Sequence, residues 1–118
     1  MKHQPKLIYI ASTYSIGNKL QNVMRSMRIA DKLISLGHYP YCPLLNHFQN
    51  KYFPREESEW LALDIVWLKK CDIVLRLPGE SSGADREVKV AKVAGIPVIY
   101  FDDGQVFSDL EYKINEVM

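Results

Sequence analysis

A chain of 118 residues, with 15 Lys+Arg against 14 Asp+Glu and 47% hydrophobic residues, has the composition of one folded domain and excludes a disordered protein. At this length roughly two thirds of the unfolded surface is buried on folding, so a single core closes without disulfide or metal staples. The net charge of +1, with both signs interspersed, excludes a protein that tracks nucleic-acid polymers, because such proteins gather Lys and Arg on one face.

Met1-Lys2-His3-Gln4-Pro5-Lys6 leads into the apolar run Leu7 to Ala11, too short for a secretory signal, and no stretch approaches the ~20 residues of a membrane span. No membrane partner is expected, and the cytoplasm is the expected compartment. Leu7 to Ala11 is rich in β-branched and aromatic residues and predicts a buried strand, followed by a polar loop over 12–18. From Lys19 to Leu36, Leu20, Val23, Met24, Met27, Ala30, Leu33 and Ile34 recur at spacings of three and four before Gly37, which predicts a helix. Its Lys19, Arg25, Arg28 and Lys32 are assigned to a solvated outer face.

His38 to Cys42 predicts a second strand, and Leu44 to Glu57, with no sustained period, a long loop. Ser58 is placed as N-cap of a helix from Glu59 to Lys70, and Asp72 to Leu77 as the third strand. After Pro78-Gly79 and the turn residues Glu80 to Gly83 come a helix over Ala84 to Ala94, a fourth strand over Pro97 to Phe101, and a last helix from about Val106 to Val117. Cys42 and Cys71 are too few and too far apart for a zinc cluster, so no metal is expected, and Cys71 reads as a small buried hydrophobe. His38, in a turn after Gly37, and His47, in the long loop, have no nucleophile at a useful spacing. Neither a Gly-x-Ser-x-Gly elbow nor a GxxxxGK[ST] phosphate loop occurs, which excludes hydrolase triads and nucleoside-triphosphate chemistry.

The alternation of strands and helices, with strands that are continuous apolar runs, predicts a doubly wound, flavodoxin-like α/β fold: a parallel sheet of about four strands, order 2-1-3-4, with helices on both faces. The chain reverses direction between strands one and three, so ligands belong in the crevice between loops 12–18 and 78–83.

Two carboxylates stand out of pattern. Wound at about 100° per residue, the helix from Ala84 groups Ala84, Val88, Val90, Ala91 and Ala94 on one side, and Glu87 falls inside that apolar arc. It either complements the helix dipole, pairs with Arg86, or serves as a functional acid or nucleophile. Asp64 lies among Trp60, Leu61, Trp67 and Leu68 on a helix apolar nearly all round, where an unpaired charge would cost several kcal/mol. It therefore meets a hydrogen-bonding partner or opens onto the crevice. One of Ser81 and Ser82 caps the next helix, Ser82 and Asp85 having the spacing of a capping box, and Gly83 allows backbone N–H groups close to a phosphate or sugar oxygen.

Ile8-Tyr9-Ile10-Ala11-Ser12, Trp60-x-x-x-Asp64-x-x-x-Leu68-x-x-Cys71-Asp72-Ile73-Val74, and Pro78-Gly79-Glu80-Ser81-Ser82-Gly83-Ala84-Asp85-Arg86-Glu87, followed by Ala91 and Gly95-Ile96-Pro97-Val98, resemble the nucleoside 2-deoxyribosyltransferase-like superfamily, and most closely its small bacterial and phage branch. The resemblance covers residues 7 to about 101, and its most specific part is Ser-x-Gly-x-x-x-Glu. It implies one such domain over residues 1–118, with Glu87 as the nucleophile at the anomeric carbon, Asp64 binding sugar hydroxyls or protonating the departing base, and Tyr9 orienting Glu87. Ser81 and Gly83 are implied at the phosphate or sugar, and Ser12, Ser82, Trp60 and Asn46 complete the candidate substrate-binding residues. The implied partner is a nucleoside or nucleoside 5′-monophosphate, the implied assembly a homo-oligomer, with Tyr52, Phe53 and Tyr112 as contact area; no cofactor is called for. In the transferases a neighbouring subunit's C-terminal region adds a residue to the site, and no position here matches it.

Two classes of function follow. One is an N-glycosidic-bond enzyme, transferase or hydrolase, with a Glu nucleophile. The other is a non-catalytic nucleotide- or FMN-binding module, since residues 12–18 weakly resemble the phosphate loop of flavodoxins.

Overall fold

The computed structural model describes residues 4–102 and 107–117; Met1 to His3 and Val106, the expected start of the last helix, lie outside them. The chain runs β1 (Leu7–Ala11), α1 (Lys19–Ser35), β2 (Tyr39–Tyr41), a 3-10 turn (Pro43–Leu45), α2 (Asn46–Tyr52), α3 (Glu57–Leu68), β3 (Ile73–Arg76), α4 (Ser82–Val93), β4 (Val98–Tyr100) and α5 (Phe107–Asn115). The four strands form one parallel sheet in the order β2-β1-β3-β4, the order the sequence predicts. Both edge strands are three residues long; β2 carries Pro40 at its centre and β4 follows Pro97.

Successive residues of a strand face opposite sides of the sheet, and the core divides accordingly. Ile8 and Ile10 of β1 join Ile73 and Leu75 of β3 with Val23, Ile29 and Leu33 of α1 and Leu110 and Ile114 of α5. Tyr9 and Ala11 point the other way, against Val74, Leu68 of α3, and Ala84 and Ala91 of α4. That second layer is built largely of alanines around one tyrosine, so α4 sits close to β1, and Glu87 on α4 comes within reach of Tyr9.

Several local expectations are corrected. The long loop over 44–57 is in fact the 3-10 turn and α2, whose seven residues contain none that is buried; with no buried stripe there is no period to detect. The N-cap of α3 is Glu56, closing a capping box with Glu59, and Ser58 lies inside the first turn. On α1 the buried residues are Val23, Ser26, Ile29 and Leu33, whereas Leu20, Met24 and Ile34 of the predicted stripe are exposed. Arg25 leaves the solvated face assigned to it and reaches the β3–α4 loop. On α3 only Leu68 is buried, and Val66 and Trp67 are exposed. Cys71 is half-buried, its thiol donating to the Trp67 carbonyl at 3.4 Å and pushed up to about 11 by burial. His38, placed by the sequence in a turn after Gly37, is buried and accepts from the Lys6 N–H at 3.1 Å.

Candidate active site

A cleft of about 420 Å³ opens at the carboxyl ends of β1 and β3, where the strand order reverses. Ser12, Asn46, Trp60, Asp64, Ser81, Ser82, Gly83 and Glu87 all line it. Tyr9, the remaining sequence candidate, lies fully buried behind the wall, and its hydroxyl donates to Glu87 Oε2. Residues spread from position 9 to position 87 are thus gathered in one place.

Each carboxylate has its own tyrosine. Glu87 is brought in by α4, which starts where the Ser81 hydroxyl accepts from the Ala84 N–H at 3.0 Å. Ser81 is therefore the cap; the alternative Ser82–Asp85 box does not form, because the Asp85 carboxylate pairs with Arg76 at 3.1 Å. Asp64, on α3, accepts at Oδ1 from the Tyr41 hydroxyl and from the Asn46 amide, both at 3.0 Å. Tyr9 and Tyr41 are register partners on β1 and β2, and their rings stack with centroids 5.6 Å apart.

Burial is the main cause of the carboxylates' unusual basicity, since it disfavours the charged form. It pushes Glu87 up to about 7; the Asp64 charge adds to this, and the Tyr9 hydrogen bond, Arg76 and Arg86 oppose it. Asp64 is pushed up to about 6 by burial against the opposing hydrogen bonds from Tyr41 and Asn46. Burial, and after it the Glu87 charge, holds the Tyr9 hydroxyl far above the usual tyrosine range, so it remains a proton donor.

The β3–α4 loop is held from behind. Its four successive carbonyls each accept from a side chain: Leu77 from Arg76, Pro78 from Arg25 at 2.7 Å, Gly79 from Arg76 at 2.8 Å, and Glu80 from the Thr13 hydroxyl at 2.8 Å. Arg25 also donates to Ser12 Oγ at 3.3 Å. At the mouth, the Tyr14 hydroxyl and His47 Nδ1 lie 2.6 Å apart, and the Lys19 ammonium sits over the Tyr14 ring at 5.6 Å. The Trp60 indole N–H donates to Asn50 at 2.7 Å.

Sequence reasoning missed Tyr41, Arg25, Arg76 and Thr13 and set His47 aside. The signal for Tyr41 was its place at the end of the second strand, opposite Tyr9 once strands one and two are paired. Nothing local marked Arg25, whose partner carbonyl is 53 positions away. Among the described residues no three metal-ligating side chains stand together, and no helix is long and apolar enough to cross a membrane.

A doubly wound parallel sheet with two carboxylates at its switch point defines the class of molecule. The chain belongs to the family described as a domain of unknown function, DUF7768, whose model matches residues 6–101. A search of curated proteins gives no match. Among seven solved chains that match is the 2-deoxyribosyltransferase from the psychrotolerant bacterium Bacillus psychrosaccharolyticus, described as a biocatalyst for nucleoside synthesis. It superposes with a TM-score of 0.58 at 24% identity, covering 85% of this chain and 75% of that one. The likeness is one of fold.

Proposed function

We propose that this protein breaks the N-glycosidic bond of a nucleoside or nucleoside 5′-monophosphate, as a hydrolase or a base-exchanging transferase, with Glu87 as nucleophile. The observation that carries this reading is the pair of tyrosine-held carboxylates, the partly buried Asp64 on α3 and the buried Glu87 on α4, facing one cleft. The fold it shares with a deoxyribosyltransferase supports it, as does the Ser-x-Gly-x-x-x-Glu element; within that superfamily we propose the small bacterial and phage branch.

Tyr9 occupies Glu87 Oε2, which leaves Oε1 to attack C1′. As the C1′–O ester bond forms, the C1′–N bond breaks; its electron pair goes to the base nitrogen, and the proton on Asp64 goes to the base. Water or an acceptor base then attacks C1′, Asp64 takes the incoming proton, and Glu87 leaves as carboxylate. Ser81, Ser82 and Gly83 at the start of α4 bind the sugar or its 5′-phosphate; Ser12, Trp60 and Asn46 complete the wall. We place the protein in the cytoplasm, where free nucleotides occur, acting as a single domain in a homo-oligomer that uses the exposed Tyr52, Phe53 and Tyr112.

The test is chromatographic detection of free base from a panel of nucleosides and 5′-monophosphates, with and without an acceptor base. Wild type should release base and Glu87→Ala should not; unchanged turnover in the variant would sink the assignment. Dependence on the acceptor separates transferase from hydrolase. Binding without release would favour the non-catalytic module, and a yellow preparation its FMN form.

A further inference from the structure

Among the described residues, Asp64 is held through one oxygen only. Its Oδ1 accepts two hydrogen bonds, from the Tyr41 hydroxyl and the Asn46 amide. A carboxyl oxygen that already accepts from two donors cannot carry the acid proton without giving up one of them, so the proton of the neutral acid belongs on Oδ2.

The donor that enforces this is itself fixed. Tyr41 is clasped between two rings, Tyr9 at 5.6 Å and 27° and Trp67 at 5.8 Å and 18°, and its backbone is tied to β1 opposite Tyr9. Stacked rings at these separations attract through more than area alone. The row Tyr9–Tyr41–Trp67 therefore aims two hydroxyls from neighbouring strands, one at each carboxylate. Asn46, at the start of α2, supplies the second donor from another element.

We propose that Tyr41 is a positioning residue which, with Asn46, anchors Asp64 through Oδ1 so that the acid delivers its proton to the departing base from Oδ2. The proposal rests on the glycosidic reading above. In the step concerned, the Oδ2–H bond breaks, its proton joins the base nitrogen, and the electron pair of the C1′–N bond stays with the base. Tyr41 does not touch the reacting atoms.

Tyr41→Phe removes the hydroxyl and keeps the ring and its stacking. Two substrates separate positioning from structure. An unmodified purine nucleoside needs a proton on its leaving base, whereas an N7-methylated purine nucleoside already carries a positive charge and departs as a neutral base without one. Tyr41→Phe should lower kcat on the unmodified nucleoside about tenfold or more, with little change in KM and little change on the N7-methylated one. Equal losses on both substrates, or no loss on either, would overturn the proposal.

A second measurement does not depend on turnover. Because the Tyr41 hydrogen bond pulls the Asp64 titration down, carbon NMR of the Asp64 carboxyl should show it titrating at higher pH in Tyr41→Phe than in wild type. An unmoved titration overturns the anchoring. Should wild type release base from nothing in the nucleoside and 5′-monophosphate panel, the glycosidic reading falls, and with it the delivery step, while the NMR result still decides whether Tyr41 holds Asp64. If Tyr41→Phe fails to fold, Asn46→Ala removes the other donor to Oδ1 and should raise the Asp64 titration in the same carbon NMR measurement, an unmoved titration again overturning the anchoring.

Discussion

At the scale of single residues, the site depends on where one proton sits. The proposed reaction needs Asp64 protonated and Glu87 ionised together, and the two carboxyls titrate at about 6 and about 7. Of the two, the higher value belongs to Glu87, the reverse of what the reaction asks. Glu87 is already buried and Asp64 only partly so. A seated substrate therefore removes more water from Asp64 and moves the proton towards it. The singly protonated pair is most populated between the two values, so kcat/KM should trace a narrow bell peaking at about pH 6.5 and falling on both sides. A rate profile flat from about pH 5 to 9 would contradict this pairing. Both carboxylates were legible in the sequence because each is a charge inside an apolar arc, which requires a physical explanation wherever it occurs. Tyr9 was visible only through the family resemblance, and Tyr41 not at all: its importance comes from strand register, which no single segment encodes.

At the scale of elements, the β3–α4 loop is the most constrained segment of the cleft. Gly79 adopts φ +119°, and a Cβ there would approach the Thr13 methyl at 3.1 Å. Gly79→Ala therefore meets both backbone strain and a close contact against the residue whose hydroxyl holds the Glu80 carbonyl. It should lower stability by about 1–3 kcal/mol and raise KM by loosening the start of α4. Denaturant titration reads the first effect and initial-rate kinetics the second; a variant as stable as wild type would show that the loop gives easily. The main strands and helices were legible because their apolar residues recur with the right period. The failures have one physical origin. Where an element's side chains face the cleft or solvent, as on α2, or find a distant polar partner, as Arg25 does, burial no longer writes the local pattern.

At the scale of the whole molecule, the cleft works against the fold that carries it. Folded, Glu87 keeps its proton up to about 7, against 4.5 for a free glutamate side chain, so between those values the folded chain binds more protons than the unfolded one. Its contribution is most favourable below 4.5 and is lost as pH rises through 7. Asp64, raised from 3.8 to about 6, acts in the same direction at slightly lower pH. Glu87→Gln removes the charge and keeps the size, so it should abolish base release while raising unfolding stability at pH 8 by about 1–3 kcal/mol, read by denaturant titration at pH 5 and pH 8. A variant less stable than wild type at pH 8 would mean that the Tyr9 hydrogen bond outweighs the burial. The sheet around this site has its own boundary condition, set by its two short edges. A strand interrupted by proline cannot donate along its full length, and three residues offer little ladder to extend. Neither edge is thus a template for another chain's strand, which protects the protein from fibrillar aggregation at high concentration and requires copies that assemble to meet through helices and loops instead of a continued sheet.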